Sequence, residues 1–127
     1  MLITEYFHKV ENRVSECIYV IESTILRDQR SLHIGIIEGK LLFTNESLLH
    51  FIEFVSVRGS TEIYKYSYHY QDRQGNLLFR YDMAPHHREI PTFPYHKHIH
   101  QNIVIESVCP TLEQIMDEIE EIIGTSG

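Results

Sequence analysis

Between Tyr64 and Met83 the chain alternates so regularly that it reads as a β-hairpin. Tyr64, Tyr66, Tyr68 and Tyr70 stand at every second position, with Lys65, Ser67, His69 and Gln71 between and after them. Successive side chains of a strand point to opposite faces, so this spacing sorts the tyrosines to one side and the polar residues to the other. Asp72-Arg73-Gln74-Gly75 follows as a turn signal, and Asn76 to Met83 returns. A loop made of residues 72–75 pairs Gln71 with Asn76, His69 with Leu78, Ser67 with Arg80 and Lys65 with Asp82, on one shared face. A loop one residue longer or shorter would send Arg80 and Asp82 to the tyrosine side instead.

The flanking sequence fits the same architecture. Ile3, Tyr6, Phe7, Val10 and Val14 lie on one face of an amphipathic helix over residues 3–15. Extended segments are expected from Ile18 to Leu26, Leu32 to Ile37, Leu41 to Phe43, Leu48 to Val57 and Glu62 to Gln71. Turns are expected at Asp28-Gln29-Arg30, Glu38-Gly39-Lys40, Thr44-Asn45-Glu46 and Gly59-Ser60. Pro85, Pro91 and Pro94 make residues 84–100 mostly loop, because each lacks an amide donor and restricts the residue before it. Ile103-Val104-Ile105 reads as a short last strand. Thr111 and Gln114 form a capping box ahead of the stripe Leu112, Ile115, Met116, Ile119, Ile122 and Ile123, with Gly124 as the stop. The expected fold is α+β: an antiparallel meander of about five to six strands with a helix at each end. All 127 residues fit a single domain.

No apolar run approaches the roughly 18 residues that a membrane span needs. Met1-Leu2-Ile3-Thr4-Glu5 opens without the basic and apolar pattern of a signal peptide, so a soluble, cytoplasmic protein is expected. Cys17 and Cys109 form no metal-ligand spacing. A disulfide between them is one alternative; two small core residues are the expectation for a reducing compartment.

The net charge of −7 at first opposes a nucleic-acid partner. Residues 101–127, however, carry six acids and no Lys or Arg, while residues 1–100 carry twelve acids and eleven bases. The excess is therefore confined to one end, and an active site needs only local positive potential. The absence of a basic stripe argues for brief contact with RNA, or contact aided by a partner.

Five histidines fall between His86 and His100: His86, His87, His96, His98 and His100. Imidazole titrates near neutrality and can accept and return a proton in one cycle. Metal-free cleavage of an RNA phosphodiester needs a base for the 2′-hydroxyl, an acid for the leaving 5′-oxygen, and cations for the phosphorane. His69, His87, His96 and His98 are candidates for proton transfer, Arg80 and Lys97 for charge stabilisation, and Asp82 for orienting an imidazole. A solvated strand face with ordinary Lys65–Asp82 and Arg80 ion pairs is the plainer alternative. His96, His98 and His100 would point the same way if extended, which makes a metal-dependent hydrolase a competing reading. A non-catalytic module binding protein or RNA is a third. No metal or cofactor enters the preferred reading. His8, His33 and His50 stand alone in the sequence and receive no role.

The strings Tyr66-Ser67-Tyr68-His69-Tyr70-Gln71-Asp72, Phe79-Arg80-Tyr81-Asp82 with Ala84-Pro85-His86-His87, and Thr92-Phe93-Pro94 with His96-Lys97-His98 resemble the signature of the TumE-type toxins. The resemblance runs from about Glu16 to the C-terminal helix and is most specific over residues 64–98. It implies a type II toxin, an RNA-cleaving enzyme neutralised by a cognate antitoxin protein. It points to Tyr66, His69, Arg80, Asp82, His86, His87, Thr92, His96, Lys97 and His98. The chain departs from that pattern at Met83, where Asn is common, and at Arg88, where Pro is common. A polar group lost at Met83 would weaken activity. The acidic last helix is a solvated face, or else a dock for a basic antitoxin segment or for a second subunit in a homodimer.

Overall fold

The computed structural model describes residues 1–83, 95–99, 103–106 and 111–125. Helix α1 (Ile3–Glu16) leads into seven strands: β1 (Val20–Gln29), β2 (Ile34–Phe43), β3 (Leu48–Ser56), β4 (Glu62–Gln71), β5 (Leu77–Met83), β6 (Tyr95–Ile99) and β7 (Ile103–Glu106). Helix α2 (Leu112–Thr125) follows. The strands lie in sequence order, and each is antiparallel to the next. The α+β meander with a helix at each end is thus the observed fold, with a seventh strand. The addition is β6, inside the stretch expected to be mostly loop. Its five residues carry no proline and begin directly after Pro94, so the ladder is free to form there.

Both helices pack on one face of the sheet. Ile3, Phe7, Val10 and Val14 of α1 and Leu112, Ile115, Met116, Ile119 and Ile123 of α2 join Ile37, Leu41, Leu49, Phe51, Val55, Tyr66, Tyr68, Tyr70 and Phe79 in one buried cluster. The capping box forms as expected: Thr111 N–H donates to Gln114 Oε1 (3.0 Å) and Gln114 N–H to Thr111 Oγ1 (3.2 Å). Gly124 does not stop α2, which continues to Thr125, whose hydroxyl donates to the Glu121 and Ile122 carbonyls. Four acids of α2 are engaged within the chain: Glu118 accepts the Tyr81 hydroxyl (2.9 Å), and the other three share one arginine. Glu113 (2.8 Å), Asp117 (3.1 Å) and Glu120 all grip Arg13 of α1.

Two of the expected turns move. β1 runs through Asp28 and Gln29, and the chain reverses only at Arg30–His33, where the Arg30 and Ser31 amides both donate to the Ile34 carbonyl. Glu38-Gly39-Lys40 is no turn but the middle of β2. Gly39 sits opposite Phe51, and a Cβ there would collide with the Phe51 ring. The glycine therefore serves close packing rather than reversal.

Candidate active site on the open face of the sheet

The β4–β5 hairpin decides which residues meet. Its loop holds five residues rather than four, because the Asn76 amide is taken by Asp72 Oδ1 (2.9 Å), which also accepts from Gln74 N–H (3.0 Å). Gly75 supplies the positive φ of 85° that closes it. Gln71 therefore pairs with Leu77, not Asn76, and Leu78 is an extra residue before Phe79 resumes opposite Tyr70. The longer loop and the bulge each shift the register by one. Parity is restored, so Ser67 lies opposite Asp82 and His69 opposite Arg80. The expected set shares a face, displaced by one pair: Leu78 is not across from His69, nor Lys65 from Asp82.

Another bulge, between Phe54 and Val55 of β3, removes Tyr64 from the tyrosine stripe. Tyr64 is exposed and packs on Phe54 (centroids 6.2 Å apart), while Lys65 Nζ lies 5.1 Å from the same ring. Tyr66, Tyr68 and Tyr70 are core residues. Beside them Glu53 is fully buried and receives the Tyr6 hydroxyl (2.5 Å) and the Tyr68 hydroxyl.

On the other face, which neither described helix covers, Arg80 Nε lies 3.0 Å from Asp82 Oδ2. Asp82 is buried and Arg80 exposed. His69 Nε2 donates to Gln71 Oε1 (3.2 Å). Partial burial lowers the His69 pKa; the Gln71 bond opposes this, and the nearby charges of Arg80 and His50 add to it. In the β5–β6 ladder Asp82 is the partner of His96, Arg80 of His98, and Tyr81 of Lys97. Lys97 is thus opposite a residue of the helix-covered face, one step out of phase with Arg80 and Asp82. His86, His87, Arg88, Thr92, His100 and Cys109 lie outside the described residues. Among the described residues no group of three or more His, Cys, Asp or Glu is arranged to hold a metal ion.

One histidine set aside in the sequence is not isolated. His50 is the Cα partner of His69 across β3 and β4, and its Nε2 lies 2.7 Å from Glu38 Oε2. Nothing local in the sequence marks it, because its neighbours come from other strands. His33 instead meets the Met1 carbonyl (3.1 Å), and His8 is exposed on α1.

The family model described as Toxin TumE matches residues 7–123 of this chain. The chain belongs to the TumE toxin family. It is accordingly a toxin of a toxin–antitoxin system, to which a cognate antitoxin corresponds. Comparison with curated proteins gives no match, and comparison with solved structures gives none. No described helix is long and apolar enough to cross a membrane. For this TumE-family chain the departure at Met83 has a packing explanation. Met83 is half-buried and packs against the core, where a thioether fits better than an amide. Tyr66, one of the residues to which the resemblance points, is a core residue whose ring lies 5.4 Å from that of Tyr68.

Proposed function

We propose that this TumE-family toxin is an RNA endonuclease working by histidine general acid/base chemistry in the cytoplasm, restrained by its antitoxin. One observation carries the reading. Successive ladder positions run His69, Arg80, His98 in one row and Ser67, Asp82, His96 in the next. Directly opposed residues of an antiparallel ladder have Cα atoms only about 4.5–5.5 Å apart. Adjacent rungs that carry imidazole, guanidinium and carboxylate residues support a site for a phosphodiester.

The chemistry follows from the residue types. Kept neutral by partial burial and by Arg80, His69 suits removal of the 2′-hydroxyl proton. The Arg80 guanidinium, anchored on Asp82, suits the charge that builds on the phosphorane. His87, His96 and His98 are candidates from the histidine-rich segment for returning a proton; Lys97, one ladder step out of phase with Arg80, is left out of this scheme. Domain unity over 1–127 and homodimer formation belong to the same reading.

The deciding experiment is incubation of purified protein with RNA in the presence of a chelator, followed by mapping of product ends. Cleavage leaving 2′,3′-cyclic phosphate and 5′-hydroxyl ends supports the scheme. Cleavage abolished by chelator would point to a metal-dependent hydrolase, and binding without turnover to an interaction module.

A further inference from the structure

We propose that His50, held by Glu38, is the acid of this site, returning a proton to the leaving 5′-oxygen while His69 takes the proton of the 2′-hydroxyl. This rests on the ribonuclease reading above but gives the acid's role to His50 in place of His87, His96 or His98, through a residue pair that the sequence did not single out.

The argument starts from the ladder. Lys40, His50, His69 and Arg80 occupy successive partner positions on β2, β3, β4 and β5. Neighbouring strands are about 4.8 Å apart, so the row crosses roughly 15 Å of the face that neither described helix covers. His50 and Glu38 side chains are 42% and 37% exposed, so the pair is open to a substrate. Among the described residues Glu38 is the one carboxylate bonded to an imidazole in this row. The contact engages Nε2 of His50, so the proton to be given up is the one on Nδ1. A carboxylate on one ring nitrogen fixes the tautomer and stabilises the imidazolium, as the aspartate does in a serine protease triad. His69 has the opposite surroundings. Its Nε2 is engaged by the neutral Gln71, and the charges that face it are His50 from β3 and Arg80 from β5, with Asp82 on Arg80. His50 faces Glu38 and Lys40 from β2 and His69 from β4. Two imidazoles in unlike environments divide acid from base.

The step balances. His69 Nδ1 accepts the 2′-hydroxyl proton as the 2′-oxygen bonds to phosphorus. The bond from phosphorus to the 5′-oxygen breaks, and that oxygen receives the Nδ1 proton of His50. The products are a 2′,3′-cyclic phosphate and a 5′-hydroxyl, with no water or metal consumed. Arg80, beyond His69, meets the non-bridging oxygens.

The test uses the full chain and a leaving-group substitution. A bond that wild-type protein cuts in unmodified RNA is first mapped, then an oligoribonucleotide is made with sulfur replacing the bridging 5′-oxygen there. A thiolate leaves without protonation, so it needs no acid. His50→Gln is expected to slow cleavage of the ordinary RNA by about 100- to 10,000-fold, the usual worth of a general acid. The same variant should cut the sulfur substrate within about tenfold of wild type, whereas His69→Gln should lose both. Glu38→Gln should slow ordinary cleavage less, and should leave cleavage of the sulfur substrate within about tenfold of wild type. His8→Gln, on the exposed face of α1, serves as the unaffected control. Near-wild-type cleavage of ordinary RNA by His50→Gln overturns the proposal, as does equal loss on both substrates in a variant that melts like wild type. Wild-type protein that cuts no RNA overturns the ribonuclease reading itself, before any variant is made, and this inference with it.

Discussion

The two faces of the sheet are written by alternate residues of the same strands, yet they obey different rules. The helix-covered face is aromatic and tightly packed. Phe43 meets Tyr70 edge-on at 5.9 Å, Tyr70 meets Phe79 at 5.2 Å, and Phe51 lies over Tyr68 at 6.5 Å. The other face mixes half-buried Ile36, Ile52 and Phe54 with Glu38, His50, Ser67, His69 and Arg80. Period two lets one strand specify a core through Tyr66, Tyr68 and Tyr70 and a chemical surface through Ser67 and His69. Stability and activity should then be separable by substitution. Each face also holds an exception: Glu53 sits in the core, and Asp82 is buried on the polar side.

The sharpest contrast should come from Phe51. Its ring is fully buried and fills the space over Gly39. Phe51→Ala should cost about 3–5 kcal/mol, read as a lowered denaturation midpoint, a large part of a typical domain's stability. Arg80→Ala should weigh the other way. Stability should fall less, by about 1–3 kcal/mol because buried Asp82 loses this cation, while RNA cleavage falls about 100-fold, near 2.7 kcal/mol of barrier. Removing the guanidinium also removes a like charge beside His69, so the His69 pKa should rise, as read by NMR titration of the ring. Loss of stability without a change in that titration would mean that Arg80 is structural.

Much of this division was legible beforehand. The helix stripes, the Thr111–Gln114 cap and the tyrosine hairpin follow from local spacing. What failed to show depended on partners distant in sequence. Glu38-Gly39-Lys40 has the composition of a turn, and only the Phe51 ring across the ladder explains the glycine. β1 overran its expected end because it is an edge strand, exposed along most of its length, with no burial alternation to mark where it stops. The hairpin register combined a longer loop with a bulge at Leu78. Each would have swapped the faces alone, and together they preserved the grouping of His69 with Arg80 and Asp82. His50 was invisible as a site residue because Glu38 and His69 reach it from β2 and β4.

Glu53 tests whether the core face tolerates charge. Burial pushes its carboxyl above the usual carboxylate range, and the Tyr6 and Tyr68 hydroxyls pull it back only in part. The folded state therefore holds the proton more tightly than the unfolded chain. That contribution is complete below about pH 4 and is lost as pH rises through the folded-state value. Wild-type unfolding free energy should fall over this window, and Glu53→Gln, which cannot ionise, should remove the fall. The variant should be more stable than wild type by about 1–3 kcal/mol at pH 8, and close to it at pH 4. A variant weaker at pH 8 would show that the two tyrosine hydroxyls fully compensate a buried carboxylate.

The smallest effect belongs to neither face. Glu46, in the β2–β3 turn, adopts a φ of 66°, and its amide donates to the Phe43 carbonyl (2.9 Å). A side chain in this left-handed region costs about 1–2 kcal/mol, which glycine avoids. Against that stand the greater freedom of glycine in the unfolded chain and the loss of an exposed 3.5 Å contact with Arg73, worth about 0–1 kcal/mol. Glu46→Gly should therefore gain only about 0.5 kcal/mol, or about 2 °C in melting temperature. RNA cleavage should be unchanged, since the turn touches no residue of the row from Lys40 to Arg80. A gain in stability that came with altered cleavage would show that the turn tunes the register of the open face, and that the two faces are coupled through β2 and β3.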